Sequence, residues 1–340
     1  MGIKSKKQLI KQVFFILASI PFSLFVYEAY YFTKKIIVRE VYAGNYVGNS
    51  LLSYEIPHVG YGPKNDTLFK VQLTKKNRFH KIYNANYTFD NGHRIIPNNN
   101  DSSNKKVYFM GCSFMLGDGL NDHQTLPYFF NTFSENKFNS KNFAFSGYGP
   151  HQALRLIEKG NLFNSNNEHI FVFLLLPQHI ERAAGMVNWD KNGPKYVIEN
   201  NDVNFVGTFS KEIKKSDNLI ATIFKTSTLY DKFLKPKIKK ADVELTYLIA
   251  LKMHQLLNQK NVRFILLIHD SSTIFSKKNE HEELLYNKIN STQIEHYYIS
   301  SVIPKIKSEP EKYFIKGDGH PNENYNKELA KFLSDSLLKK

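Results

Sequence analysis

Residues 105–118 read Lys-Lys-Val-Tyr-Phe-Met-Gly-Cys-Ser-Phe-Met-Leu-Gly-Asp, and this stretch decides the fold. The apolar run Val107–Met110 predicts a short strand that is buried in a parallel sheet. Gly111 supplies the tight turn that a strand needs before a helix begins. Ser113 follows at the carboxyl end of the strand, which is the edge of an open parallel sheet where ligands and reactive side chains gather. We therefore take Ser113 as a candidate nucleophile.

The chain after residue 105 alternates short apolar strands with helices. The later predicted strands are Asn142–Phe145, Ile170–Leu176, Val262–Ile268 and Glu295–Ile299. The predicted helices cover 125–135, 150–163, 241–259 and 280–290, and a last one begins at Pro321. This alternation implies right-handed crossovers and a parallel sheet that helices cover on both faces. The sequence therefore predicts an α/β domain over residues 105–340, with a less regular insert at about 178–240 that holds the only tryptophan, Trp189.

The amino-terminal 35 residues predict a membrane anchor. Four lysines precede Gln12–Tyr27, which carries no charge and, continued to Thr33, is long enough as a helix to cross a hydrocarbon core of about 30 Å. A cleaved signal peptide is disfavoured because no clear cleavage site follows, and a buried soluble helix because Val13–Tyr27 has no charged face. We expect residues 1–35 to span the membrane once. The charge balance favours a cytoplasmic amino terminus, which would place the rest of the chain outside the cytoplasm.

Residues 36–104 predict a β-rich lead-in section that ends in a linker. Phe69–Leu73 and His80–Phe89 show the apolar positions of strands. The Asn91-Gly92 pair that follows predicts a hairpin turn, because both residues tolerate positive φ angles. The polar, Asn-rich stretch Pro97–Asn104 predicts the linker.

Composition limits the function classes. The 340 residues are 42% hydrophobic, which is ordinary for a globular protein with one large domain. The net charge of +15 comes from scattered lysines, without a dense basic block and interleaved aromatics, so we expect no nucleic-acid partner. The single cysteine, Cys112, excludes an internal disulfide and a multi-cysteine metal site. Since there is also no metal-ligand pattern and no phosphate-binding glycine loop, we expect no metal and no cofactor.

A serine hydroxyl needs a base to take its proton, and the base works better when an acid orients it. Residues 317–322 read Gly-Asp-Gly-His-Pro-Asn, which places Asp318 two residues before His320 in front of the last helix. The flanking glycines allow the bend through which Asp318 could reach the ring of His320. The alternative is that both residues only cap the last helix.

Three segments resemble the characteristic blocks of the SGNH (GDSL-type) hydrolases. Residues 111–119 resemble the first block, 142–150 the second and 317–322 the last, in the family's order. The resemblance covers residues 105–340. It implies a flavodoxin-like three-layer α/β/α sandwich and a protein that hydrolyses or transfers ester-linked acyl groups.

The resemblance also implies roles for individual residues. Ser113 would be the nucleophile, His320 the base and Asp318 the acid that orients it. The backbone N–H groups of Ser113 and Gly147 would form part of the oxyanion hole.

The sequence departs from the family pattern at three places. Cys112 stands where the family usually has Asp, and we expect it to be a small buried side chain rather than the nucleophile. One residue instead of two separates Asp318 from His320. The third block is absent, and at its place either Gln178 or His179 could donate to the oxyanion.

Two further groups near the predicted site edge have more than one interpretation. His269-Asp270 follows a buried strand and could contact substrate or act as a cap. Asp118 and Asp122 are expected to shape the loop and the following helix rather than to bind metal.

We therefore predict a membrane-anchored SGNH-type serine esterase. Its substrate would be an envelope polysaccharide or lipid that carries an ester-linked acyl group, for which acetyl is the expected case. Two alternatives stay open: an O-acyltransferase that passes the acyl group to a sugar hydroxyl, and a non-catalytic glycan-binding or assembly factor on the same fold.

Overall fold

The structure is a computed structural model that describes residues 6–38, 45–47, 53–64, 68–159, 169–212, 236–270 and 279–338. Its strands are β1 (Asn45–Val47), β2 (Tyr54–Ile56), β3 (Gly60–Gly62), β4 (Phe69–Lys76), β5 (Lys81–Asp90), β6 (His93–Arg94), β7 (Lys106–Met110), β8 (Asn139–Asn142), β9 (His169–Leu175), β10 (Pro194–Glu199), β11 (Asp202–Thr208), β12 (Val262–Ile268) and β13 (Glu295–Tyr298). Its α-helices are α1 (Lys6–Val38), α2 (Ser113–Leu116), α3 (Leu126–Phe133), α4 (Pro150–Glu158), α5 (His179–Ala183), α6 (Lys240–Gln259), α7 (Glu280–Asn290), α8 (Ile299–Val302), α9 (Pro310–Tyr313) and α10 (Glu323–Leu338).

One mixed sheet of nine described strands forms the centre, in the order β1-β4-β5-β6-β8-β7-β9-β12-β13. Five neighbouring strands of this sheet, β8, β7, β9, β12 and β13, are parallel. Strand β7 pairs with β8 on one side and with β9 on the other. Numbered along the chain, these five strands have the order 2-1-3-4-5, which is the flavodoxin-like arrangement. The predicted fold class is therefore confirmed.

Helices cover the parallel strands in two groups. Helix α3 packs against α10, while α4, α5 and α7 pack against α6. These groups are the outer layers of the sandwich, and the central strands β7, β9 and β12 between them are mainly apolar because both of their faces are covered. In β7, Val107–Met110 is at most 3% exposed, and in β9, Phe171–Leu175 is at most 1% exposed.

The β-rich section extends this sheet. Strands β4 and β5 pair antiparallel, and the predicted hairpin turn joins β5 to β6, where Asn91 and Gly92 have the positive φ angles of 48° and 76° that the turn requires. Strand β6 then pairs with β8 through Arg94 and Asn142. The section therefore shares backbone hydrogen bonds with the α/β region.

Several predicted boundaries differ from the structure. Strand β8 covers Asn139–Asn142 instead of Asn142–Phe145, because strand pairing selects a polar stretch whose backbone fits beside β7. The apolar residues that follow form the loop to α4, where the Phe145 N–H donates to the Gly111 carbonyl. The predicted insert contains α5 and the hairpin β10–β11, and its residues 213–235 lie outside the described part, as do residues 160–163 of the helix predicted over 150–163.

Helix α1 agrees with the predicted apolar segment. Its stretch Val13–Ile37 has a mean hydropathy of 1.7 and is long and apolar enough to cross a membrane. None of this stretch is buried within the protein, so it is not a core helix of the described fold. A signal sequence near the amino terminus can also be this long and this apolar.

Arg94 joins the β-rich section to the loop that follows α2. Its guanidinium is fully buried, stacks on the Tyr87 ring at 4.1 Å from the ring centre, and donates to the Asp122 carboxylate at 2.9 Å. It also donates to four carbonyl oxygens, those of Asn86, Leu116, Gly117 and Leu120. No lysine can replace this contact set, because only the planar guanidinium has five donors in a fixed plane.

We expect Arg94→Lys to lower the free energy of unfolding by about 3 kcal/mol, because it leaves buried carbonyls and the Asp122 carboxylate without their donors. Chemical denaturation of the full chain in detergent, followed by circular dichroism, measures this change. The control is Arg78→Lys at an exposed position, for which we expect less than about 0.5 kcal/mol. Equal denaturation midpoints for the two variants would show that the buried contacts contribute nothing.

Candidate active site

Ser113 stands at the carboxyl end of β7, as predicted. Gly111 is needed between them, because a Cβ there would lie 3.0 Å from the Met115 Cβ and 3.3 Å from the Leu174 carbonyl oxygen. Ser113 is the first residue of α2 and is partly exposed. Cys112 precedes it with no exposed surface, in agreement with the expected buried role.

The structure brings Ser113, His320 and Asp318 together. The Ser113 Oγ lies 2.9 Å from the His320 Nε2, and the His320 Nδ1 lies 2.5 Å from the Asp318 Oδ2. Gly317 and Gly319 adopt φ angles of 80° and 86°, which let the chain turn Asp318 back onto the ring despite the short spacing. A hydroxyl, an imidazole and a carboxylate connected in this order form the arrangement used in serine-based acyl transfer.

Asp318 and His320 do not serve as the cap of the last helix. That position belongs to Asn322, whose side-chain oxygen accepts hydrogen bonds from the N–H groups of Asn324 and Tyr325. The imidazole and the carboxylate are therefore available for the contacts with Ser113.

The charges at the site favour an ionised carboxylate beside a basic imidazole. Burial alone would raise the pKa of Asp318, but hydrogen bonds from His320 and Lys75 outweigh it, so the pKa is lowered from its usual 3.8. Burial alone would lower the pKa of His320, but the hydrogen bond to Asp318 and the nearby Asp118 carboxylate raise it above its usual 6.5.

The two predicted backbone donors of the oxyanion hole are available. Within the described residues, neither the Ser113 N–H nor the Gly147 N–H makes a hydrogen bond. Gly147 has a φ of 84°, and a Cβ there would collide with the Tyr61 hydroxyl and the Trp189 ring. A larger residue would therefore displace the loop that carries the Gly147 N–H.

Hydrogen bonds fix the Gly147 loop from several directions. Tyr61 donates to the Ser146 carbonyl at 3.1 Å, and the Ser146 hydroxyl donates to the Asp118 Oδ2 at 2.7 Å. Asp118 thus shapes this part of the site, as predicted for its loop. Burial raises the pKa of this carboxyl, although the charge of His320 opposes the shift.

The two candidates for a third oxyanion donor have different environments. Gln178 is exposed just before α5. His179 is fully buried, and its Nδ1 accepts a hydrogen bond from the Leu176 N–H at 3.3 Å. Burial lowers the pKa of His179 well below 6.5, so its ring is neutral.

His269 and Asp270 line the same edge but in supporting positions. The His269 ring is buried between Phe114 and Tyr325, and burial lowers its pKa to about 4. Asp270 accepts hydrogen bonds from the N–H and the hydroxyl of Ser300 in α8, which agrees with the capping interpretation.

Three residues near the site were not predicted to take part: Lys75, Tyr61 and Trp189. The Lys75 Nζ contacts the Asp318 carboxylate, and the Trp189 indole N–H lies 3.5 Å from the Gly147 carbonyl. All three lie outside the segments that resemble the family blocks, and no local sequence pattern marks any of them. Only pairing of the β-rich section and folding of the insert bring them to Ser113.

Fold and site together define a flavodoxin-like α/β protein with a Ser-His-Asp arrangement at the carboxyl edge of its parallel sheet. No family model and no curated protein matches this chain.

Among solved structures, the chain is similar to a member of the lipolytic G-D-S-L family from Veillonella parvula, with 11% identity, 69% of this chain and 99% of that chain covered, and a TM-score of 0.41. A GDSL-like lipase from Bacteroides thetaiotaomicron is 13% identical, with coverages of 69% and 88% and a TM-score of 0.38. An alpha/beta hydrolase enzyme from the Lake Arreo metagenome is 11% identical, with coverages of 70% and 97% and a TM-score of 0.39.

The raised pKa of His320 can be tested through the pH at which its ring becomes reactive. Because the Asp318 hydrogen bond stabilises the imidazolium, we expect His320 to be modified by diethylpyrocarbonate, which attacks neutral imidazole, at higher pH than an ordinary histidine. In Asp318→Asn the midpoint of modification should move to lower pH. Peptide mapping across a pH series measures this, with the exposed His80 in the same digest as the reagent control. An unchanged midpoint in Asp318→Asn would show that Asp318 does not tune the ring.

Proposed function

We propose that this protein is an SGNH-type serine esterase, anchored to a membrane by α1. The single observation that carries the proposal is the 2.9 Å contact between the Ser113 Oγ and the His320 Nε2, with Asp318 on the other ring nitrogen. This geometry lets one nitrogen take the serine proton while the other stays hydrogen-bonded to the carboxylate.

The proposed reaction has two stages. The Ser113 Oγ attacks the ester carbonyl while the His320 Nε2 accepts its proton, and a tetrahedral oxyanion forms. His320 then returns the proton to the leaving alcohol, and an acyl-Ser113 ester remains. In the second stage His320 takes a proton from water, whose oxygen attacks the acyl group, and collapse of the second intermediate returns the proton to Ser113.

The oxyanion would be held by the N–H groups of Ser113 and Gly147, with the Gln178 amide as a third donor. Within the described residues neither N–H group donates a hydrogen bond to another group, which supports this assignment. Gln178 is chosen over His179 because its amide is exposed, whereas the His179 ring is fully buried.

The substrate that we propose is an acylated envelope polysaccharide or lipid outside the cytoplasm. The length and apolar composition of α1 support attachment at a membrane, where such molecules are found. The acyl group that we propose is acetyl. If a sugar hydroxyl replaced water in the second stage, the same residues would catalyse O-acyl transfer.

We expect Ser113→Ala to reduce the turnover of p-nitrophenyl acetate by at least 10³-fold, because the acyl-enzyme cannot form. The full chain in detergent is assayed beside Ser308→Ala, which removes an exposed hydroxyl that donates only to the Lys305 carbonyl and should leave turnover unchanged.

A fluorophosphonate probe followed by peptide mapping identifies the reactive residue. Labelling of Ser113 in the wild type and its loss in Ser113→Ala are the expected results. Equal turnover by both chains, or labelling at another position, would remove Ser113 as the nucleophile. Glycan binding that survives Ser113→Ala, with no turnover of any ester, would instead support the glycan-binding alternative.

A further inference from the structure

Lys75 lies against the Asp318 carboxylate. It is the second-last residue of β4, and its Nζ contacts the Asp318 Oδ1, while the other oxygen, Oδ2, contacts His320. The contact is well shielded from water, since the Lys75 side chain is 12% exposed and the Asp318 side chain is not exposed at all. Both oxygens of the carboxylate therefore have a partner, one on each side.

Negative charge is concentrated around the His320 imidazole, and a nearby cation offsets this charge. His320 faces two carboxylates, Asp318 through a hydrogen bond and Asp118 through space. The cations among the surrounding charged groups are Lys75, which acts on both Asp318 and His320, and Arg94, which acts on Asp118. The ring also contacts two uncharged groups, the Ser113 hydroxyl and the Phe114 ring.

The loop that carries Asp318 also needs an anchor outside itself. Two glycines with positive φ flank Asp318, and glycine gives the unfolded and locally open chain more conformations than any other residue. Strand β4 is held in place by eight paired positions with β5, so Lys75 offers a fixed point of attachment. In an ion pair that is shielded from water, a charge that loses its partner costs free energy. Such a pair therefore keeps its two groups in contact.

We propose that Lys75 is a positioning residue of the active site, which holds Asp318 in the orientation that aligns His320 with Ser113. The inference rests on the proposed function, in which these three residues catalyse ester cleavage. It extends that function by making the β-rich section, which lies before the segments that resemble the SGNH blocks, a part of the catalytic centre.

Replacement of Lys75 tests this role, with its neighbour Lys76 as the matched control. Lys76 is exposed on the same strand, so Lys76→Met removes an equal charge from the protein without touching Asp318. For Lys75→Met we expect kcat for p-nitrophenyl acetate to fall roughly 10- to 100-fold with KM unchanged, because the base is misaligned but substrate contacts are not. Lys76→Met should match the wild type.

The pH profile separates positioning from a general loss of structure. The positive charge of Lys75 opposes protonation of His320, so its removal raises the pKa of the ring. Since the neutral ring is the base, the acid limb of kcat/KM should move to higher pH in Lys75→Met, by about half a unit or more. Lys75→Arg keeps the charge and should bring the limb back towards the wild-type position.

A double-mutant cycle shows whether Lys75 acts through Asp318. In the Asp318→Asn background, Lys75→Met should change kcat less than about twofold, because no carboxylate is left to hold. The double variant carries neither charge of the ion pair. Where Lys75→Met alone unfolds, a change in kcat larger than about twofold between Asp318→Asn and the double variant would therefore still contradict a role through Asp318.

Two results would overturn the proposal: an unchanged pH profile in a folded Lys75→Met, or losses in kcat that simply multiply in the cycle. These results differ from a failure of the proposed function, which would appear as full activity in Ser113→Ala.

Discussion

The position of strand β7 between two parallel neighbours is the constraint on which the site depends. Its apolar side chains are covered on both faces, and its backbone is paired on both edges, so its carboxyl end is fixed relative to the sheet. Ser113 starts a helix three residues after the last residue of β7. The buried strand β7 therefore fixes the position of the nucleophile that we propose.

The partners of Ser113 reach it from distant parts of the sequence, and each is held by its own contacts. His320 and Asp318 arrive on a glycine-flanked turn before α10. The loop with Gly147 is fixed by Tyr61 and Asp118, and the loop after α2 by Arg94. Tyr61 and Arg94 both belong to the β-rich section, so this section contributes to the shape of the site as well as to the width of the sheet.

Electrostatic balance connects these contacts. Buried carboxylates are stable only when donors or cations compensate them, and the structure gives Asp318 both. Asp118 has a hydroxyl donor instead, and burial raises its pKa. Two carboxylates near one imidazole thus have environments that move their pKa values in opposite directions, which is a common feature of sites that transfer protons.

The sequence by itself determined four of the five strands of the parallel sheet, the apolar amino-terminal helix and the placement of Ser113 at a strand end, because apolar periodicity and glycine turns are local signals. It also indicated the Asp318 and His320 pair, since both residues lie in one short turn. It misplaced β8, because pairing with β7 selected Asn139–Asn142 over the more apolar residues that follow.

Only the tertiary structure decided the contacts of Lys75, Tyr61, Arg94 and Trp189 with the site. The physical reason is distance along the chain: Lys75 and Asp318 are 243 residues apart, and no local pattern distinguishes this lysine from the many others. Strand pairing brings the two charges together, and that pairing is a property of the folded sheet.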